Sequence, residues 1–402
     1  MSDRYDFAIV GAGILGLASA RELLIRRPDR TVVVLDAATE VGAEQSGHNS
    51  GVIHAGVYYR PGSLKARLCV DGAARMYDYC GAHGIAARQV GKLIIATEPR
   101  ELPALEEIER RARENGVPGI RRIPAEEIQE IEPNARGLAA LHSPATGIVD
   151  FRAVCRQLAR DVVQAGGVVR LGWRVGEVSE GTLGVRLAGP SGATVDAATA
   201  VFCAGLQADR LAVAAGGPPD PRIVPFRGAY LRLRPERRNL VQGLIYPVPD
   251  PALPFLGIHL TPTVRGEVLV GPTALMVAAR DAYRLTRFSP RDLAQTISWP
   301  GTWRVMARWW RTGLDELGLA ASRQAFAARA ARYVPALTGA DLVPAFAGIR
   351  AQSVSRSGQL IDDFVLSPTA RTLHVRNAPS PAATSSLALA VEIVDRIERQ
   401  LQ

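Results

Sequence analysis

The chain has 402 residues, 47% of them hydrophobic and 22% charged, with a formal net charge of +9. That balance describes an ordinary globular protein and excludes disorder, collagen-like repeats and coiled coil as descriptions of the whole chain. The charge does not point to nucleic acid: Lys65 and Lys92 are the only lysines, and the many arginines are scattered without a run of five, whereas nucleic-acid binding needs a clustered footprint. The length suggests two or three domains. Cys69, Cys80, Cys155 and Cys203 have neither CxxC nor metal-site spacing, so free thiols and no metal are expected. Met1-Ser2-Asp3-Arg4 runs directly into an apolar strand, so no signal peptide is expected. No stretch approaches the roughly 18 apolar residues of a membrane span. The expected location is cytoplasmic.

Taken in chain order, the first element is the strand Phe7-Ala8-Ile9-Val10. Gly11-Ala12-Gly13-Ile14-Leu15-Gly16 follows, then Leu17, Ala20, Leu23 and Leu24 at helical spacing. A second β-branched run, 31–35, ends at Asp36. Strand, glycine turn, helix, strand and acid together make a dinucleotide site. Gly11 permits the tight turn, Gly13 lets the backbone approach a pyrophosphate, and Gly16 lets helix and strand pack closely. The helix N-terminus offers free N–H groups to the phosphates, and Asp36 can accept from the ribose hydroxyls.

The segment 42–59, Gly-Ala-Glu-Gln-Ser-Gly-His-Asn-Ser-Gly-Val-Ile-His-Ala-Gly-Val-Tyr-Tyr, is rich in small and polar residues. It reads as a winding loop that can wrap a diphosphate and continue to a flavin ring, which favours FAD over NAD. Residues 199–205 repeat the pattern of apolar strand and glycine, and 373–386 place a small-residue loop before helix-periodic Leu387, Val391, Val394 and Ile397. A helix N-terminus there suits the negative edge of a reduced flavin.

These residues resemble a known family. His48-Asn-Ser-Gly-Val-Ile-His-Ala-Gly-Val-Tyr-Tyr59, Pro61-Gly-Ser-Leu-Lys-Ala66, Pro225-Phe-Arg-Gly228, Ile245-Tyr-Pro-Val-Pro-Asp250, Pro254-Phe-Leu-Gly-Ile-His259, Gly348-Ile-Arg-Ala-Gln352 and Asn377-Ala-Pro-Ser-Pro-Ala-Ala-Thr-Ser385 are similar to the L-2-hydroxyglutarate dehydrogenase/oxidase family. That family lies in the D-amino-acid-oxidase-like FAD superfamily. The resemblance implies FAD, oxidation of L-2-hydroxyglutarate to 2-oxoglutarate, and electron transfer to quinone or oxygen. The chain departs from the family's pattern at Asp36, at Thr273 and at Ala279-Arg280. Two other readings of the same loops are a related amine or amino-acid oxidase and a flavin-binding redox protein that is not an enzyme.

The expected fold is α/β: a discontinuous Rossmann-like FAD-binding domain and an α+β substrate domain with a mixed or antiparallel sheet. The nucleotide pieces lie at the start, middle and end, so the FAD-binding domain should comprise 1–88, 146–222 and 345–402, and the substrate domain 89–145 and 223–344. Residues 91–97, 228–234, 255–261 and 267–270 read as strands, 101–115 as a helix and 263–267 as a turn.

The candidate cofactor residues are Gly11, Gly13, Ile14, Leu15, Gly16, Asp36, Ala37, Ser46, His48, Asn49, Ser50, Val175, Ala204, Gly205, Pro381, Ala382, Ala383, Thr384 and Ser385. Removing a hydride from C2 and a proton from the hydroxyl needs a base, and histidine suits that role. His54 lies in the flavin loop. His259 lies in a run where Leu256, Ile258 and Leu260 alternate away from it. Arg350, then Arg227, are candidates for carboxylate binding through a planar fork. Tyr246 is a candidate donor, and Lys65 faces either the flavin loop or a surface ion pair. Trp299, Trp303, Trp309 and Trp310 are interleaved with Arg304, Arg308 and Arg311. That segment is either a contact for the membrane surface or a substrate-domain helix with a tryptophan core face.

Overall fold

A computed structural model describes residues 3–401. The first sheet is parallel at its centre, in the order Val168–Arg170, Val32–Leu35, Asp3–Val10, Thr194–Phe202 and Thr372–Asn377. The hairpin Glu177–Gly181/Gly184–Ala188 extends it antiparallel. Side chains alternate across the central strand as the period of two requires. Phe7 and Ile9 face a core of helices Ile14–Arg26, Leu64–Ala82, Phe151–Gln164 and Ala382–Leu401. Ala8 and Val10 face Val33, Leu35, Leu187 and Phe202 on the other side. Local signals start the helices: the Ser63 hydroxyl accepts from Ala66 N–H, and Asp150 accepts from the N–H groups of Arg152 and Ala153.

The second sheet is mixed and has nine strands. The long antiparallel pair Arg222–Leu233 and Leu342–Val354 forms one side. Val268–Gly271, His259–Pro262, Leu244–Pro247, Lys92–Ala96, Ala139–Ser143 and Arg121–Pro124 continue the sheet outward. One face packs Leu93, Ile95, Ile245 and Leu260 against Phe326, Val334 and Leu319 of the helical layer. The other face turns Ile94 and Tyr246 toward Val52, Ala55 and Val57 of the first unit's loop. The two sheets therefore meet at the segment 52–59.

Two expectations are corrected. The boundary at 345 cuts a strand: 345–354 lie in the mixed sheet, because their ladder with Arg222–Leu233 continues to Val354. The strand expected over 255–261 begins only at His259. Its ladder to Val268–Gly271 spans 259–262, and Pro254 and Gly257 leave 255–258 as loop. The helix Leu102–Glu114, the strands Lys92–Ala96 and Val268–Gly271, and the turn closed by Thr263 N–H on Glu267 O appear where the sequence placed them.

Candidate active site

The nucleotide cradle is built from backbone. Gly11 has φ +114°, and a Cβ there would lie 2.4 Å from Cys203 O. A Cβ on Gly16 would lie 1.9 Å from Gly11 O, so helix and strand meet with no room for a side chain. Gly13 is different: its added Cβ would meet only Ser46 Oγ, at 3.2 Å. Its free side faces the helix N-terminus, where Ile14 N–H donates to Ser46 Oγ at 3.0 Å. Leu15 packs into the core beneath the turn. Asp36 accepts from Ala12 N–H at 2.5 Å and Ala38 N–H at 2.7 Å, which pins the acid and Ala37 beside the turn.

Other candidates converge on this cradle. Asn49 shapes the loop rather than pointing from it, with Nδ2 donating to the carbonyls of Gln45 and Ser46 and Oδ1 accepting from Gly51 N–H. Gly205 adopts φ +47° against Gln45 Oε1, beside Ala204. Val175 packs on the sheet, two residues after Trp173 N–H donates to Asp36 O. The His48 ring lies 4.3 Å from that of Tyr283, tilted by 32°, and a Cβ on Gly348 would lie 2.3 Å from His48 O. Pro381, Ala382 and Ala383 open the C-terminal helix. Thr384 Oγ1 there accepts from His54 N–H and donates to Val52 O. The Ser385 and Ser386 hydroxyls next to it are buried without partners. A glycine cradle, an open helix N-terminus and orphaned hydroxyls at a second helix start fit FAD.

Beyond the cradle, one face of the mixed sheet carries a buried polar group drawn from several strands. His259 Nδ1 lies 3.0 Å from Gly257 O, and its ring stacks on Tyr246 at 4.0 Å. Burial drives the His259 imidazole down to about 3, against a partial lift from Gly257 O and with Arg350 and Lys92 pushing the same way as burial. His54 is held well below its usual value by burial, then by the charges of Lys92, His259 and Lys65. Its Nδ1 is buried without a partner. Both histidines are therefore neutral at pH 7, the form a proton acceptor needs. Burial raises the Tyr246 phenol, so it remains a donor.

Arg350 makes no ion pair or hydrogen bond with the described residues. It lies 4.9 Å over the Phe255 ring and feels Tyr230, Glu316 and Tyr246. Glu316 acts on it only at a distance, so this half-buried guanidinium has no ion pair and is open to an anion. Ser50 lies beside Tyr230, near the same cation. Arg227 is not brought to this group. Phe226 pairs with Arg350, so strand alternation turns Arg227 to the opposite face, where it donates to Tyr283 O at 3.2–3.3 Å. Lys65 is the ion-paired alternative, with Nζ 2.8 Å from Asp362 Oδ1.

The departures at Thr273 and Ala279-Arg280 serve packing. Thr273 Oγ1 accepts from Ala229 N–H, Ala279 packs with Leu206, Ile223 and Ile349, and Arg280 forms a buried ion pair with Asp209.

Lys92 is the residue the sequence reading missed. It is 1% exposed, 4.4 Å from the Tyr246 ring and 5.2 Å from the Tyr58 ring. As one of only two lysines, placed at the start of an apolar strand, it offered a signal that went unused.

The tryptophan segment divides. Trp299 is core, with Nε1 donating to Val354 O at 3.0 Å. Trp303 and Trp310 are each 56% exposed on the helix Pro300–Ala321.

The family model for FAD-dependent oxidoreductases of the DAO type matches residues 6–396. The chain belongs to that family. It is accordingly an FAD-dependent oxidoreductase. Within the family it is similar to proteins named L-2-hydroxyglutarate dehydrogenase. The mitochondrial protein of Bos taurus is 43% identical over 414 residues, covering 99% of this chain and 89% of the relative. The Escherichia coli protein is 41% identical over 397 residues, covering 99% and 94%. In fold, the chain is similar to L-α-glycerophosphate oxidase from Mycoplasma pneumoniae with FAD bound, with a TM-score of 0.81 at 21% identity over 98% of this chain and 95% of that one. Glycine oxidase from Geobacillus kaustophilus gives a TM-score of 0.74 at 20% identity, over 99% and 95%.

Proposed function

We propose that this enzyme oxidises the 2-hydroxyl of L-2-hydroxyglutarate to 2-oxoglutarate. The observation that carries the reading is a pair of neutral histidines, the half-buried His54 and the buried His259, with the half-buried Arg350, which forms no ion pair, acting on His259. Relatives of that name at 41–43% identity support the substrate. FAD, when bound, supplies the two-electron acceptor that takes the hydride from C2 at its N5 position. The residues of the chain do the rest. Arg350 receives a substrate carboxylate through its fork. His54 or His259 accepts the hydroxyl proton. Tyr246 donates to an oxygen of the substrate and holds His259 by stacking. The apolar surroundings exclude water and strengthen each of these contacts.

This reading divides the chain by sheet into a cofactor part, 1–88, 146–222 and 355–402, and a substrate part, 89–145 and 223–354. Anaerobic mixing with L-2-hydroxyglutarate should bleach the flavin. The D-enantiomer, glycine and sarcosine should not. Bleaching by an amine alone would replace this reading with an amine oxidase.

A surface feature supports a quinone as the electron acceptor. Among the described residues no helix is long and apolar enough to cross a membrane. Yet Trp303 and Met306 are exposed before a kink at Trp309, and Trp310, Leu314 and Leu317 after it, which gives each part of Pro300–Ala321 an exposed apolar face. Arg304, Arg308 and Arg311 flank it. Aromatic and cationic groups together suit an anionic lipid surface, and a membrane quinone is the acceptor such docking would serve. Flotation with anionic vesicles should carry the parent protein and leave Trp303→Ala/Trp310→Ala behind. Reoxidation of the reduced enzyme should be faster with a quinone analogue than with oxygen.

A further inference from the structure

Lys92 is buried and Arg350 half-buried, and neither forms an ion pair among the described residues, Glu316 acting on Arg350 only at a distance. A buried ammonium without an acid is destabilising, and here burial pulls Lys92 down to about 7. Its neighbours are two aromatic faces, Tyr246 at 4.4 Å and Tyr58 at 5.2 Å. Both contacts leave the amine's hydrogen-bond donors unused. Around it stand acceptors and donors that are equally unfilled. The Tyr58 hydroxyl and His54 Nδ1 are both buried without partners, and His54 feels the Lys92 charge. A fixed cation beside orphaned polar atoms is a cradle for an anion.

The position of Lys92 fixes which anion. Arg350 lies two residues from Gly348, the glycine that abuts the His48 carbonyl in the cofactor loop. Lys92 begins a strand well across the sheet, beyond Val268–Gly271, His259–Pro262 and Leu244–Pro247. His259 feels both charges. A ligand reaching both cations therefore carries two negative groups separated by a short chain, with the group near Arg350 next to the reacting carbon.

We infer that Lys92 is the specificity residue of this site, receiving the carboxylate remote from the reacting carbon while Arg350 receives the near one. The site so arranged selects dicarboxylic 2-hydroxy acids over monocarboxylic ones. The inference rests on the proposed oxidation and deepens it.

The test compares L-2-hydroxyglutarate with L-2-hydroxyvalerate, which has the same chain length and lacks the remote carboxylate. In the holoenzyme Lys92→Met should lower kcat/KM for the dicarboxylate by roughly 10–100-fold, as expected for losing a hydrogen bond to a charged group. The slow reaction of the monocarboxylate should fall far less than that of the dicarboxylate, and Lys92→Arg should restore part of the loss. Calorimetric binding of glutarate and valerate gives a second readout that needs no turnover. The parent should prefer glutarate, and Lys92→Met should erase the preference. Flavin content and melting temperature show whether the variant is folded. Equal losses on both hydroxy acids, or an undiminished glutarate preference, would overturn the assignment. If the parent fails to oxidise L-2-hydroxyglutarate but binds glutarate through Lys92, the oxidation reading fails and the carboxylate site stands.

Discussion

The cofactor cradle and the substrate face are built on opposite principles. The cradle is made of backbone and small residues pressed together, as at Gly16 against Gly11 O and Gly348 against His48 O. Its chemistry is carried by N–H groups and one pinned acid, Asp36. The substrate face is made of large side chains whose charges and hydroxyls are left unpaired, such as Arg350, Lys92 and Tyr58. The first region is held by satisfied backbone contacts, with the Ser385 and Ser386 hydroxyls left open. The second is destabilising until a ligand fills it, which is how binding energy becomes selectivity.

The largest effect should separate two glycines of the cradle. Gly16→Val places atoms into Gly11 O and should abolish folding, read as loss of soluble protein or of cooperative melting. Gly13→Ala meets only Ser46 Oγ, at a helix cap with φ −75° that any residue accepts. It should fold and melt near the parent temperature while FAD affinity falls, because the methyl group intrudes where the diphosphate must approach. If both variants keep their flavin, the cradle is misassigned.

On the substrate face, His54→Ala or His259→Ala should slow flavin reduction by about 10²–10⁴-fold, the span for a general base. Stopped-flow rates equal to the parent's in both variants would remove the histidines from the chemistry. Arg350→Lys should raise KM about tenfold with a smaller change in kcat, since a point charge replaces a fork. An unchanged KM would deny it the carboxylate.

A subtler prediction concerns pH. The unfolded chain holds the Lys92 proton up to 10.5, and the folded chain only to about 7. Between these values the unfolded state binds more protons, so this group makes stability rise with pH from about 7 to 10.5. The neighbouring His54 and His259 change charge below 6.5, and Cys69, Tyr58 and Tyr246, lifted by burial, oppose the rise only above about 9, so it is clearest between 7 and 9. Lys92→Met should melt a few degrees above the parent at pH 7, with the gap closing toward pH 10.5. The parent's kcat/KM for a dicarboxylate should also fall as pH rises through about 7, and the variant should lack that limb. A melting gap independent of pH would mean that the amine is not the source of the cost.

Sequence was sufficient where function depends on local backbone geometry. The order strand, glycine turn, helix, strand and acid lies within 7–36, so spacing alone placed Gly11, Gly13, Gly16 and Asp36. The winding loop 42–59 and the small residues before the last helix were legible for the same reason. Composition also argued against a nucleic-acid partner. Only the tertiary structure decided the substrate face. Arg227 and Arg350 look alike in sequence, and the pairing of Phe226 with Arg350 sends one to the site and the other to Tyr283. His259 could be reached by alternation, although its strand starts at that residue and not at 255. Lys92, His259 and Arg350 are far apart in the chain and meet only through the order of strands in one sheet. Long-range pairing of that kind leaves no periodic trace, and a lysine at the head of an apolar strand reads as a surface end until the fold buries it.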